Sequence, residues 1–241
     1  MNPKSTPEKP REPHKKMPEK PMKPHKYALE IPMKPYKIPA QTGESFWETK
    51  GSRFHGTVCH VPDEAAVAEC LSAERKKHPQ ATAFAHAYTL GTGQEVQRFS
   101  DGGEPGGTAG LPMMEVLRRQ DYRNTLSMVT RYFGGVHLGA GGLVRAFSHT
   151  CALAAGQAGI CLMQPAKVYR FAVAYPDHGR TAYWLEHSSF TLLDTAFDTT
   201  VTLRVRVFLS DEPEFLARVE SMFKGQVTPV EMEMGYFAPP Q

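Results

Sequence analysis

From Thr200 to Leu209 the chain alternates strictly, with Val201, Leu203, Val205 and Val207 set against Thr202, Arg204 and Arg206. A period of two puts successive side chains on opposite faces, so this segment predicts a strand with one buried face. Its neighbours restrict the fold further. Val168–Tyr175 alternates through Tyr169, Phe171, Val173 and Tyr175, and Phe190–Phe197 carries another strand signal. Between those two strands Asp177 can cap a helix reaching about His187. Ser210 caps a second helix, in which Phe215, Leu216, Val219, Met222 and Phe223 share a face. A last strand spans roughly Gln226–Phe237. The order β-α-β-β-α-β is the split βαβ arrangement, so residues 164–241 are expected to form a ferredoxin-like C-terminal domain.

The opposite end of the chain cannot add to such a core. Half of the twenty prolines fall in the first 39 residues, and residues 1–37 carry ten Lys or Arg against four Glu. Sequence of this kind buries too little apolar surface to offset its ordering entropy. Residues 1–40 are therefore expected to be a disordered or extended tail in the polyproline II manner, with ordered-looking sequence beginning just after Met33. Such a tail reads either as a contact for phosphates and acidic lipids or as a solubilising extension. Without it the balance reverses. The remaining residues hold eighteen basic and twenty-one acidic side chains, so the net +3 belongs to the tail and the body is mildly acidic.

No apolar run is long enough to span a bilayer, and the basic N-terminus lacks the apolar stretch of a secretory signal. These features predict a cytoplasmic chain with no membrane partner. Cys59, Cys70, Cys151 and Cys161 form no C-x-x-C pair, so they are expected to be reduced thiols, mostly buried, with no zinc site.

Residues 41–163 read as a second α+β domain. Strands are expected at Arg53–Val61, Ala83–Leu90, Glu95–Ser100 and Thr125–Phe133, the middle two joined by Gly91-Thr92-Gly93. Asp63 caps a helix to about His78, and another covers Pro112–Arg119. A long small-residue helix follows, with Val144, Phe147, Cys151, Ala154 and Ala158 on one face. Met163–Lys167, containing Pro165, reads as a short linker to the C-terminal domain.

Glycine is densest in two segments of this domain. The first is Arg98-Phe-Ser-Asp-Gly-Gly-Glu-Pro-Gly-Gly-Thr-Ala-Gly110, which leads into a helix. Glycine permits close backbone approach, so amides here could cradle an anion at the helix start. The nucleotide fingerprints nevertheless fail: Thr108 stands where a P-loop needs Lys, and Val144 stands where the dinucleotide pattern needs glycine. The second segment is Thr130-Arg-Tyr-Phe-Gly-Gly-Val-His-Leu-Gly139, followed by Arg145. An Arg-aromatic-aromatic-Gly-Gly run at a strand end sets a guanidinium beside π faces, a surface suited to phosphates and stacked bases. The competing reading makes Tyr132 and Phe133 partly core and pairs Arg131 with Asp101 or Glu104. The candidate binding residues are Arg98, Ser100, Asp101, Glu104, Gly106, Gly107, Thr108, Arg131, Tyr132, Gly134, Gly135 and Arg145.

These two strings together, the second extended from Val129 through Arg145, resemble the signature of the IMPACT family. The likeness covers about residues 45–160, and the C-terminal unit resembles that of bacterial YigZ-like members. Residues 1–32 lie outside it. The family pattern often reads Ser-Asp-Asp-Gly-Glu-Pro, whereas Gly102 here replaces the second acid and weakens any metal or acid–base role for the loop. The resemblance implies an N-terminal fold like the second domain of a small-subunit ribosomal protein and elongation factor G domain IV. It implies a ferredoxin-like C-terminal domain akin to another elongation factor G domain, and a link to translation. Eukaryotic relatives act on an initiation-factor kinase pathway through a different accessory domain, so that pathway is not carried over.

No catalytic constellation emerges from the residues. The histidines make no H-E-x-x-H or other local metal pattern, and His55 and His60 fall on opposite strand faces. His86 and the adjacent Cys59 and His60 could join a long-range nucleophile–base pair, but Ser100 and Ser148 lack an elbow pattern. The chain thus reads as a binding protein rather than an enzyme, with no cofactor and no metal. Its expected partner is RNA or the ribosome, met through the Gly-rich and Arg-aromatic surface and helped by Arg204 and Arg206. Two alternatives stay open: an enzyme holding a small phosphorylated or anionic substrate at residues 101–110, and a protein–protein adaptor.

Overall fold

The computed structural model describes residues 33–239. Among these residues the chain is α+β, with two antiparallel sheets and five helices. The first sheet orders its strands β2 (Gly43–Thr49), β3 (Ser52–His60), β6 (Thr125–Tyr132), β4 (Ala83–Leu90) and β5 (Val96–Ser100). Strands β2 and β3 form a hairpin whose two turn residues, Lys50 and Gly51, both have positive φ, at 46° and 75°. A turn of that kind matches the twist of the paired strands and thrusts Lys50 outward from the sheet end.

Alternation along the strands divides this sheet into two covered faces. Phe54, Val58 and Val129 point to one face, under α2 (Gly110–Arg119) and α3 (Ala140–Ala158), where they join Met113, Leu117, Phe147 and Cys151 in one buried cluster. Cys59, Leu126 and Met128 point to the other, where Val67 of α1 (Glu64–Lys77) completes a smaller cluster. Helix α1 begins where the sequence places it, with the Asp63 carboxylate accepting from the Ala66 N–H at 2.9 Å. Helix α3 lies almost on the backbone of β2 because its inner face is small. A Cβ on Gly43 would sit 2.1 Å from the Ala154 carbonyl oxygen, and the Ser45 hydroxyl donates to the Thr150 carbonyl at 2.8 Å.

The C-terminal unit contains the six expected elements in the expected order. They are β7 (Ile160–Val173), α4 (Tyr175–Glu186), β8 (Thr191–Phe197), β9 (Val201–Phe208), α5 (Glu212–Phe223) and β10 (Val230–Phe237). The sheet runs β10-β7-β9-β8, all antiparallel, and Val201, Leu203, Val205 and Val207 are fully buried beneath Phe215, Val219 and Leu185. Two helix starts differ from expectation. Helix α4 opens at Tyr175, with Asp177 inside its first turn, and Asp211 rather than Ser210 stands before α5.

Three further expectations are corrected. Tyr36–Pro39, assigned to the tail, forms strand β1, paired with Met163–Ile160 of β7. Tyr36 and Ile38 flank Lys37 on one strand face and are each 2% exposed, and this apolar burial holds the strand on β7. The other part of that assignment, residues 1–32, lies outside the described residues. Next, the supposed linker Met163–Lys167 is the middle of β7, which runs unbroken for 14 residues. Pro165 is accommodated because the bond made there uses its carbonyl, which accepts from the Leu209 N–H at 3.0 Å. The 163/164 boundary therefore falls inside one strand. Finally, Val144 is 37% exposed; Leu143 takes the inward place. A single residue turns a helical side chain by about 100°, enough to move it out of the stripe.

Close packing of α3 on β2 gives a direct test. Gly43→Ala should lower stability by about 2–4 kcal/mol, because the added methyl meets backbone that cannot yield. Gly156→Ala, in α3 with open space around it, should raise stability by about 0.5–1 kcal/mol. Urea midpoints of the two variants measure both, and equal small changes would show that α3 does not press on β2.

Candidate functional site

The first glycine segment is closed upon itself. One Asp101 carboxylate oxygen accepts from the Ala109 and Gly110 N–H groups and the other from the Gly107 N–H, all at 2.9 Å. Burial alone would raise this carboxyl, but the three backbone donors outweigh it and lower its pKa. The amides at the start of α2 are thus spent on the loop's own acid, where an anion cradle was expected. Thr108 is buried with its hydroxyl on the Pro105 carbonyl, and Ser100 accepts from the Gly102 N–H. Gly106 and Gly107 face open space.

Arg131 and Glu104 form a buried ion pair, at 2.8 and 3.0 Å to the two carboxylate oxygens, with side chains 8% and 7% exposed. The same guanidinium reaches the Ser52 hydroxyl, which also accepts from the Gly134 N–H at 3.1 Å. Gly134 presses against the β2–β3 turn, where a Cβ would stand 1.9 Å from the Gly51 carbonyl carbon. This pair and its neighbours fasten both glycine segments to the end of the sheet. Arg131 is consequently not on the surface. Gly135 stands exposed beyond it, beside Phe133.

Tyr132, next in sequence, points to the opposite face. Its hydroxyl lies 2.9 Å from His78 Nδ1, and His78 Nε2 lies 3.4 Å from the buried Glu74 carboxylate. Arg53 stacks over the Tyr132 ring at 5.3 Å. His55 completes the group, its pKa lowered by burial and then by His78 and Arg53. The arrangement pins the C-terminal end of α1 to the sheet. Arg98 shares this face, paired in register with Tyr88, far across the sheet from Tyr132. The expected basic strand of the second sheet is also occupied: Arg204 pairs with Glu233 at 3.5 Å, and Arg206 stacks on Phe208 and Phe237.

Arg145 alone of the expected arginines reaches an open site. It lines a cleft of about 640 Å³ between β2, α2 and α3, together with Lys50 and Arg119. The walls are Trp47, Val116, Leu138, Ala146 and Ala152, and no carboxylate contributes. None of the three cations is ion-paired among the described residues. Arg118, beside Arg119, is by contrast held by Glu115 and Gln97. His149 meets Trp47 edge-on, ring centroids 4.4 Å apart. Lys50, Arg119, Trp47 and His149 were not among the sequence candidates. They come from a hairpin turn, a helix end, a strand and another helix, and no local spacing links them; only the packing of α3 across β2 does.

Two unpaired guanidinium groups and an ammonium around one concavity repel one another, and an anion would relieve that repulsion. An anion placed in the cleft would meet three cations and no carboxylate of the lining. No group of side chains able to hold a metal ion occurs among the described residues, and no described helix is long and apolar enough to cross a membrane.

Comparisons with known proteins give the class. Residues 50–155 match the Impact N-terminal domain, and residues 171–226 match a domain of unknown function, DUF1949. The chain is 31% identical over 199 residues to the IMPACT family member YvyE of Bacillus subtilis, covering 81% of this chain and 90% of that one. It is 29% identical over 192 residues to the IMPACT family member YigZ of Escherichia coli, covering 79% and 94%. A solved structure described as a hypothetical protein superposes with a TM-score of 0.56 at 28% identity, over 83% of this chain and 98% of that one. The chain belongs to the IMPACT family, and its two matched segments reproduce the domain pairing of the YigZ-like members.

The Asp101 bonds carry a pH signature. Its folded pKa is lower than the unfolded value of about 4, so its stabilisation is complete above that value and lost as pH falls through the folded pKa. Asp101→Asn should lower the urea midpoint at pH 7, and its difference from the parent should shrink as pH drops towards 3. A difference that stays constant with pH would mean that the charge of Asp101 does not hold the loop.

Proposed function

We propose that this protein binds RNA, as part of translation, through the cleft of Lys50, Arg119 and Arg145. The observation that carries the reading is the meeting of three unpaired cations in a concavity without a carboxylate. Each phosphate they neutralise releases condensed counterions, which is the main sequence-independent source of affinity for nucleic acid. Family membership supports the connection with translation. The strand order β10-β7-β9-β8 supports the likeness to a ferredoxin-like elongation factor domain, and the first unit would correspond to the ribosomal-protein and domain IV fold. Fold likeness by itself is a weak warrant for function, so the weight rests on the cleft.

The 101–110 loop is the poorer candidate for a small anionic substrate. Its helix-terminal amides already serve Asp101. Arg131, held by Glu104, supports the cleft's surroundings without touching the RNA.

Binding of a single-stranded RNA to the full-length chain, followed across a salt series, tests the reading. Replacing Lys50, Arg119 and Arg145 together with Gln should flatten the dependence of log affinity on log salt by about 0.7 for each phosphate that is no longer neutralised. The melting curve should not move, since none of the three is ion-paired within the fold. An unchanged slope would transfer the RNA contact elsewhere on the chain and overturn the reading. Tyr132→Phe is the control: it should cost about 1 kcal/mol of stability and leave affinity alone.

A further inference from the structure

We infer that the cleft is built for one unpaired nucleoside phosphate, the base lodged against Trp47 and the phosphate on Arg145, Arg119 and Lys50. The inference rests on the proposed reading of the cleft as a phosphate site and says which part of an RNA, or which free nucleotide, it takes. Three observations carry it.

The first is size. About 640 Å³ lies within the roughly 300–1,000 Å³ of pockets that enclose a small molecule, and suits one nucleotide with its sugar rather than a helical backbone. The second is the lining. Phosphate alone calls for cations and amides, yet much of this lining is apolar: Val116, Leu138, Ala146 and Ala152 line it together with Trp47. A nucleoside phosphate presents the same division, a flat π surface at one end and charge at the other. The third is preorganisation. Trp47 remains 39% exposed while its ring rests edge-on against His149, at an interplanar angle of 70°. An aromatic ring held in place while still open to solvent loses little entropy when a base stacks on it. His149 makes no side-chain hydrogen bond among the described residues, so its ring nitrogens are free to meet the ribose or a base edge.

The geometry also accounts for where the site sits. Trp47 and Lys50 flank the β2 end of the hairpin, Arg119 ends α2, and Arg145 and His149 are four residues apart on one face of α3. The three cations share the concavity because three elements converge on it.

The protein carries its own reporter. It has two tryptophans, and Trp184 lies against Phe190 and Phe215 in the other unit, so a Trp184→Phe chain leaves Trp47 as the sole tryptophan, excited selectively over tyrosine. Trp47 emission is titrated with AMP, UMP, ribose 5-phosphate, pyrophosphate and oligouridylate, and calorimetry repeats each titration on Trp47→Leu and Arg145→Gln. The expected result is quenching by AMP, UMP and oligouridylate, with ribose 5-phosphate and pyrophosphate weaker by about tenfold, the worth of one stacked base. Trp47→Leu should remove that advantage and leave pyrophosphate affinity as it was, while Arg145→Gln should weaken every phosphate. Pyrophosphate binding as tightly as AMP would overturn the inference and leave a plain anion site. Oligouridylate binding that neither quenches Trp47 nor responds to Trp47→Leu would overturn it while the RNA reading survives. Mononucleotides binding more tightly than oligouridylate would keep the nucleotide site and sink the RNA reading. Silence from all five ligands would dispose of both.

Discussion

The buried Arg131–Glu104 pair is the contact around which the first unit is arranged. It joins a strand end to the 101–110 loop, and through Ser52 and Gly134 it joins both to the β2–β3 turn. A charge pair taken out of water gains little net energy, because desolvation offsets the attraction. Its effect is positional: with one partner removed the other would be buried uncompensated, so the two loops can occupy only the arrangement in which the groups meet. Phe54 and Phe133 stand near the guanidinium at 5.6 and 5.3 Å and keep water from it. Lys50 stands where it does because the turn carrying it is pressed against Gly134, which that network fixes.

The two units are held together by backbone as well as by side chains. Strand β7 begins against β1 and ends between β9 and β10, so the second sheet is continuous with the segment leaving α3. Strand β1 then reaches back: the Lys37 carbonyl accepts from the Arg123 N–H at 2.8 Å, and the Tyr36 hydroxyl meets Asn124 at 3.4 Å. Burial drives the pKa of Tyr36 upward, which keeps the phenol neutral inside this seam. Tyr236 closes it edge-on, 4.7 Å from the Tyr36 ring. A hinge between the units would have to break a sheet ladder and expose this cluster.

What the sequence made legible follows the range of the interactions involved. Ala83–Leu90 and the strict alternation of Val201 to Val207 are local patterns, and the structure has them in place. Tyr36 and Ile38 were hidden because prolines surround them and the partner that makes the strand lies over 120 residues away. Pro165 read as a break because a proline lacks a donor, but a strand position that uses only its carbonyl tolerates one. Arg131 presented two readings that spacing could not separate, and the ion pair with Glu104 is a fact of tertiary packing. The members of the cleft were the least legible, since Trp47, Arg119 and Arg145 share no motif and meet only because Gly43 lets α3 lie on β2.

The charge of the whole body is a poor guide to what this surface does. Outside the first 37 residues acidic groups outnumber basic ones, which suggests weak attraction to nucleic acid. Screening at physiological salt confines the influence of exposed charges to about 8 Å, so a distant acidic surface counts for little at the cleft. At the cleft three exposed cations converge beside apolar walls, so an anion there would feel their summed attraction. An acidic exterior then has the opposite meaning. It would discourage loose adsorption along the rest of the body and leave the proposed phosphate contact to the cleft, whose lining has no carboxylate.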